Sequence, residues 1–124
     1  MIFYNIYATI RPGQLANLKA GITQVFDFAQ TNEPAYAAFA SIDETKNEVT
    51  FFNVFSDVQA MQTHYALIPT IPGFSQIVAS MDIIRREIFG ELTPELRAQT
   101  AGADLTYHKT ILGMRNREIV PTES

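Results

Sequence analysis

The chain has 124 residues, 47% of them apolar, with 9 Lys+Arg against 13 Asp+Glu, a net charge of −4 and no cysteine. That length suits one domain with a sizeable core; charges scattered over an acidic balance exclude a basic stripe for nucleic acid or anionic membrane surfaces, and the missing cysteines remove disulfides, thiolate nucleophiles and cysteine metal sites together. No apolar run reaches the length of a membrane span, and the opening Met1–Asn5 lacks the basic region of a signal peptide, so a cytoplasmic protein is expected.

Residues 2–10 are rich in aromatic and β-branched types and read as a first strand. Ile2, Tyr4, Ile6, Ala8 and Ile10 share one face and Phe3, Asn5, Tyr7 and Thr9 the other. Arg11-Pro12-Gly13 stops the strand, because proline cannot continue a ladder. From Gln14 to about Thr31, Leu15, Leu18, Ile22, Val25, Phe26 and Ala29 recur on one helical face. Gly21 costs that helix about 1 kcal/mol relative to alanine unless a neighbour has to approach closely there. Asn32-Glu33-Pro34 ends the helix. A second strand is expected over 35–42 and a third over 48–55, joined by a hairpin turn in the polar run Asp43–Asn47.

The third strand carries Phe51, Phe52, Val54 and Phe55, interrupted only by Asn53, so both its faces need cover. Ser56 and Gln59 have capping-box spacing and predict a helix over 57–67. Ala60, Met61, His64 and Ile68 lie on one face of it, which places the imidazole of His64 over the sheet and away from water. The two prolines in Ile68–Gly73 break the helical segment, either as a lid or as an irregular connection, before Phe74, Ile77, Val78 and Met81 resume helical spacing. Residues 82–89 read as strand four. Thr93-Pro94-Glu95 then starts a short helix to about Thr100. A fifth strand-like stretch runs from Leu105 to Leu112, Gly113–Arg117 turns away, and the last residues are expected to fray.

The order β-α-β-β-α-β predicts an α+β, ferredoxin-like split βαβ fold, a four-stranded antiparallel sheet with helices on one face. The domain is a single one over 1–124, with a core of about 2–90 and a C-terminal helix-and-strand extension of about 91–117. Strands that are apolar on both faces also call for a second copy packing sheet to sheet, hence a homodimer.

Arg11-Pro12-Gly13 leading into a helix, Phe55-Ser56-Asp57 followed by a helix carrying His64, and Phe89-Gly90-Glu91-Leu92-Thr93-Pro94-Glu95-Leu96 follow one another in an order that resembles the antibiotic biosynthesis monooxygenase-like domains of the dimeric α+β barrel superfamily, which include small quinol monooxygenases. The resemblance spans roughly residues 2–115. It implies a cofactor-independent oxidation of an aromatic phenol, anthrone or quinol, with no metal, in a pocket between sheet and helices. Three positions depart from the family's pattern. Asn53 stands where many relatives carry glutamate, Phe55 stands where they often carry tryptophan, and a second histidine after the first is missing.

Such chemistry needs a base, donors for a developing oxyanion and a dry aromatic cavity. His64 is the candidate base, since imidazole titrates close to neutrality, and Asn53 is the candidate donor. Tyr4, Tyr36, Phe51, Phe55, Tyr65 and Phe74 are the candidate aromatic lining. Arg85 and Arg86 fall on opposite faces of strand four, so one can serve the pocket; Arg85 is the candidate. His108 and Tyr107 belong to the tail strand, where the alternatives are packing on the partner subunit and exposure to solvent, the second being expected for His108. The structural alternative for each of these residues is packing: a hydrogen-bonded core histidine, an asparagine satisfied by backbone, aromatics that fill the core. The functional alternatives are a non-catalytic small-molecule-binding or stress-response dimer, and a lyase or isomerase on the same scaffold.

Overall fold

The computed structural model describes residues 1–101, 105–115 and 118–120. The strands and helices are β1 Ile2–Ile10, α1 Leu15–Asn32, β2 Tyr36–Asp43, β3 Glu48–Phe55, α2 Val58–Leu67, α3 Phe74–Ala79, β4 Met81–Phe89, α4 Pro94–Thr100, β5 Leu105–His108, β6 Gly113–Arg115 and β7 Glu118–Val120, with a 3-10 turn at Ile68–Thr70 between α2 and α3. The main sheet has the order β2-β3-β1-β4-β5. Its first four strands pair antiparallel, and β5 adds to the β4 edge in parallel. This is the ferredoxin-like α+β arrangement with one strand more. The tail differs in detail from the sequence reading: the strand stops at His108 rather than Leu112, and Gly113–Arg115 pairs with Glu118–Val120 instead of turning away. Residues 102–104, 116–117 and 121–124, on which part of the expected turn and the expected fraying fall, lie outside the described residues.

Local chemistry explains the element boundaries. The 43–47 turn closes because Asp43 Oδ1 accepts from the backbone N–H groups of Thr45 and Lys46, while Asn47 takes the left-handed φ of 55° that ends it. The second helix is capped one residue later than the capping-box spacing implies. Asp57, in extended conformation, accepts from Ala60 N–H at 2.8 Å, so Ser56 is a loop residue. Thr93 caps α4 by accepting from Leu96 N–H, with Pro94 in the first turn.

The inner face of the sheet carries two separate apolar clusters. One gathers Ala8, Ile10, Leu18, Val25, Val49, Phe51, Ile71, Ile77 and Met81 under α1 and α3. The other gathers Ile2, Tyr4, Phe55, Met61, Ile88 and Leu96 under α2 and α4. Ile6 packs against both. Beneath the helices, therefore, the core is divided. On the outer face, Phe3, Phe39 and Phe52 remain exposed, Phe39 and Phe52 as a cross-strand pair.

Gly21 resolves the ambiguity left by its place in α1. A Cβ there would lie 3.0 Å from the Gly73 carbonyl oxygen, and a Cβ on Gly73 would lie 2.6 Å from the Gly21 carbonyl oxygen. The two backbones touch, and the start of α3 is held directly on α1. Gly73 also has φ 85°, which penalises any side chain. Gly73→Ala should therefore cost at least about 2 kcal/mol in urea unfolding, from left-handed strain plus overlap. Gly13→Ala, at φ 74° with nothing within 4 Å, should cost only about 1 kcal/mol. Equal losses for the two variants would show that the backbone contact adds nothing.

Candidate functional site

A cavity of about 300 Å³ opens between the two clusters. Its floor is the inner face of the sheet, with Tyr4, Ile6, Phe51, Asn53, Ile83 and Arg86. Val25 and Phe26 of α1 and Phe74, Ile77 and Val78 of α3 form one wall. His64, Tyr65 and Ile68 form another, and Gln99, Thr100 and Ala101 lie at the end of α4.

His64 is on the inner side of α2, its side chain 13% exposed. Its ring lies against Tyr36 at 4.7 Å and Phe55 at 5.3 Å between centroids, and Tyr36 stacks on Phe55 at 4.9 Å. His64 Nδ1 is 2.8 Å from Glu33 Oε1, and the Glu33 side chain is 2% exposed. Glu33 follows the last residue of α1, and its backbone N–H donates to Ala29 O, which fixes the carboxylate behind the imidazole. The second oxygen, Oε2, is buried with no partner among the described residues. Sequence reasoning missed Glu33, which reads there only as part of a helix-ending Asn-Glu-Pro. An acid between an amphipathic helix and a strand was the only signal, and it is a weak one.

Asn53 is 7% exposed and largely committed. Its Oδ1 accepts from the Tyr36 hydroxyl and its Nδ2 donates to Tyr4 O at 2.9 Å, which leaves one amide N–H for anything else. Burial, and then the charge of Glu33, push the Tyr36 hydroxyl above its ordinary pKa of 10.0, so it stays a donor to Asn53. Tyr65 is raised in the same direction by burial and then by the neighbouring Tyr4 hydroxyl. Tyr4 is raised by burial, partly offset by a hydrogen bond from Tyr65 and by the charge of Arg86. Tyr4, Tyr65 and Arg86 thus make a second polar group on the cavity, in which both hydroxyls keep their protons.

Two of the expected site residues lie elsewhere. Arg85 points to the outer face, over the Tyr7 ring at 3.9 Å and 2.9 Å from Glu87, and Arg86 faces the cavity in its place. The cause is a bulge. Ile83 pairs with Ala8 but Arg85 with Tyr7, so Ile84 is an extra residue and the inward face of β4 passes from Met81 and Ile83 to Arg86 and Ile88. Strict alternation from Met81 would have brought Arg85 in. Arg86 Nε is buried and has no partner among the described residues. Phe55 is 0% exposed and supports the Tyr36 and His64 rings from below instead of lining the cavity. His64, Asn53, Tyr4, Tyr36, Phe51, Tyr65 and Phe74 do line it. His108 is not simply solvated. It stacks on Phe89 at 4.3 Å with its Nε2 3.0 Å from Glu87 Oε2, on the outer face.

Solved structures share this architecture. MupZ from Pseudomonas fluorescens superimposes with a TM-score of 0.76 at 21% identity, over 93% of this chain and 88% of that one. SnoaB from Streptomyces nogalater, a cofactor-independent oxygenase, gives 0.60 at 13%, over 73% and 91%. A provisionally assigned antibiotic biosynthesis monooxygenase from Caulobacter crescentus gives 0.58 at 12%, over 70% and 83%. The fold is antibiotic biosynthesis monooxygenase-like. The MupZ match takes in nearly the whole chain, whereas the other two cover less than three quarters of it. No family model matches the chain, and no curated protein does. Among the described residues, no helix is long and apolar enough to cross a membrane, and no three potential ligands cluster as a metal site.

The His64–Glu33 contact makes a stability prediction. Removing one partner of a buried pair leaves the other uncompensated, at a cost of about 3–5 kcal/mol. His64→Ala should lose at least about 3 kcal/mol in chemical unfolding, and adding Glu33→Gln should recover more than half of that loss. Additive losses in the double variant would show the pair to be uncoupled.

Proposed function

We propose that this protein is a cofactor-independent monooxygenase for a small aromatic phenol, anthrone or quinol, and that His64 is its base. The observation that carries the reading is the free ring nitrogen of His64. With Nδ1 taken by Glu33, Nε2 has no protein partner among the described residues, and the ring stands at the wall of an apolar cavity. Nε2 removes the acidic proton of the substrate. The resulting anion is stabilised by the remaining Asn53 N–H and by the Arg86 charge, and its electrons pass to O₂. For an anthrone, one oxygen atom replaces the two hydrogens of the methylene carbon as a carbonyl, and the other leaves with those hydrogens as water. A volume of about 300 Å³ is at the lower end for small-molecule sites and favours substrates of two or three fused rings. The likeness to a cofactor-independent oxygenase supports the reading.

The donor group of Tyr4, Tyr65 and Arg86 favours a second reading in which nothing is oxidised. A base and protonated hydroxyls on one cavity can move a proton between two atoms of a carbonyl substrate, as an isomerase or lyase requires. Oxygen uptake separates the two. With a panel of anthrones, naphthoquinols and simple quinols, wild type should exceed the uncatalysed rate on at least one. His64→Gln, which keeps a partner for Glu33, should lower it at least about tenfold, roughly 1.4 kcal/mol of barrier. Wild-type uptake at the uncatalysed rate throughout would end the oxygenase reading. Deuterium incorporation into ketone substrates from D₂O would then support the second.

The same proposal includes a homodimer packed through the outer sheet face, where Phe3, Phe39 and Phe52 are exposed at 42%, 63% and 39%. Light scattering should give twice the chain mass, and Phe39→Asp with Phe52→Asp should reduce it to one chain. An unaltered mass would place the contact elsewhere.

A further inference from the structure

We infer that Glu33 is a positioning residue for the base, one that selects the tautomer of His64 and balances the charge formed when Nε2 takes a proton. The inference rests on the reading of His64 as the base and deepens it.

Glu33 is not part of the cavity lining. It stands on the far side of the imidazole, buried, with Oε1 on Nδ1 and Oε2 free of any partner among the described residues. A carboxylate only accepts hydrogen bonds, so the 2.8 Å contact requires the hydrogen on Nδ1 and leaves the lone pair on Nε2, the nitrogen free of Glu33. Free neutral imidazole of histidine prefers the opposite arrangement, with the hydrogen on Nε2. In that tautomer the Nδ1 lone pair would face a carboxylate at contact distance, and the cavity would be offered a donor in place of a base. Glu33 decides between the two. When the ring then accepts a proton, the imidazolium forms beside a carboxylate in a poorly solvated place, where opposite charges attract strongly. Asn53, at the position where a glutamate was expected from the family resemblance, is bound to Tyr36 and Tyr4 and has no charge to offer. In this chain the negative charge arrives from the corner between α1 and β2 instead.

The two histidines make the test direct, because they are predicted to be opposite tautomers. His108 meets Glu87 through Nε2, and His64 meets Glu33 through Nδ1. Long-range ¹H–¹⁵N spectra of histidine-labelled protein, at a pH where both rings are neutral, should show one ring of each kind, with His108 as the internal control. In Glu33→Ala the His64 signals should move to the Nε2–H pattern while His108 stays unchanged. In Glu33→Gln, whose amide oxygen still accepts from Nδ1–H, the tautomer should persist. There kcat should fall at least about tenfold with KM within about threefold, and Glu33→Asp should restore part of kcat. A purely structural Glu33 would leave kcat of the folded Gln variant untouched. Wild-type His64 in the Nε2–H form, or Glu33→Gln turning over like wild type, would overturn the inference. If no substrate turns over, the oxygenase reading fails by itself, and the spectra of wild type and Glu33→Ala still decide whether Glu33 sets the tautomer.

Discussion

The contact between Glu33 and His64 joins the end of α1 to the middle of α2, two elements separated in sequence by a β-hairpin. Neither side chain has ready access to water, so each depends on the other for its place in the fold. The aromatic stack of Tyr36 and Phe55 lies against the same imidazole, and Tyr36 in turn orders Asn53. Local helix preferences bring none of these groups together. The hairpin does, by placing β2 and β3 side by side, so that Tyr36 pairs with Phe55 just before the chain enters α2. One wall of the cavity is thus a single connected unit, in which Glu33 Oε2 is the one buried oxygen without a partner among the described residues.

The opposite end of the cavity is built on another principle. Tyr4, Tyr65 and Arg86 share a region where burial holds the hydroxyls neutral and Arg86 Nε has no partner among the described residues. A buried arginine nitrogen with nothing to donate to is costly in a closed core. At the edge of a cavity it is a donor kept available. The divided core is consistent with this. Filling the gap with side chains would bury more apolar surface and close the space between His64 and Arg86.

Much of the architecture was legible because the signals were local and periodic. The helical face of Leu18, Ile22 and Val25, the turn at Asp43–Asn47, the double-proline break and the Thr93-Pro94 start each follow from residue chemistry a few positions apart. The lining was legible for the same reason, since His64 and Asn53 sit at regular positions of a regular helix and strand. What escaped were irregularities and meetings at a distance. The extra residue Ile84 leaves no mark in a run of Asp-Ile-Ile-Arg-Arg-Glu, and yet it exchanges the two arginines. Glu33 lies thirty-one positions from His64, and no spacing rule links them. The cap shifted from Ser56 to Asp57 because both are good caps and the end of β3 chose between them.

The backbone contact between Gly21 and Gly73 has a bearing on what can enter the cavity. Neither glycine lines it, yet together they set how low α3 rides on α1, and Phe74, Ile77 and Val78 hang from α3. The height of the chamber is fixed by two absent methyl groups outside it. The room inside the cavity is therefore adjustable from a position outside its lining, with His64, Asn53 and Arg86 left as they are, through a residue that no inspection of the lining would single out.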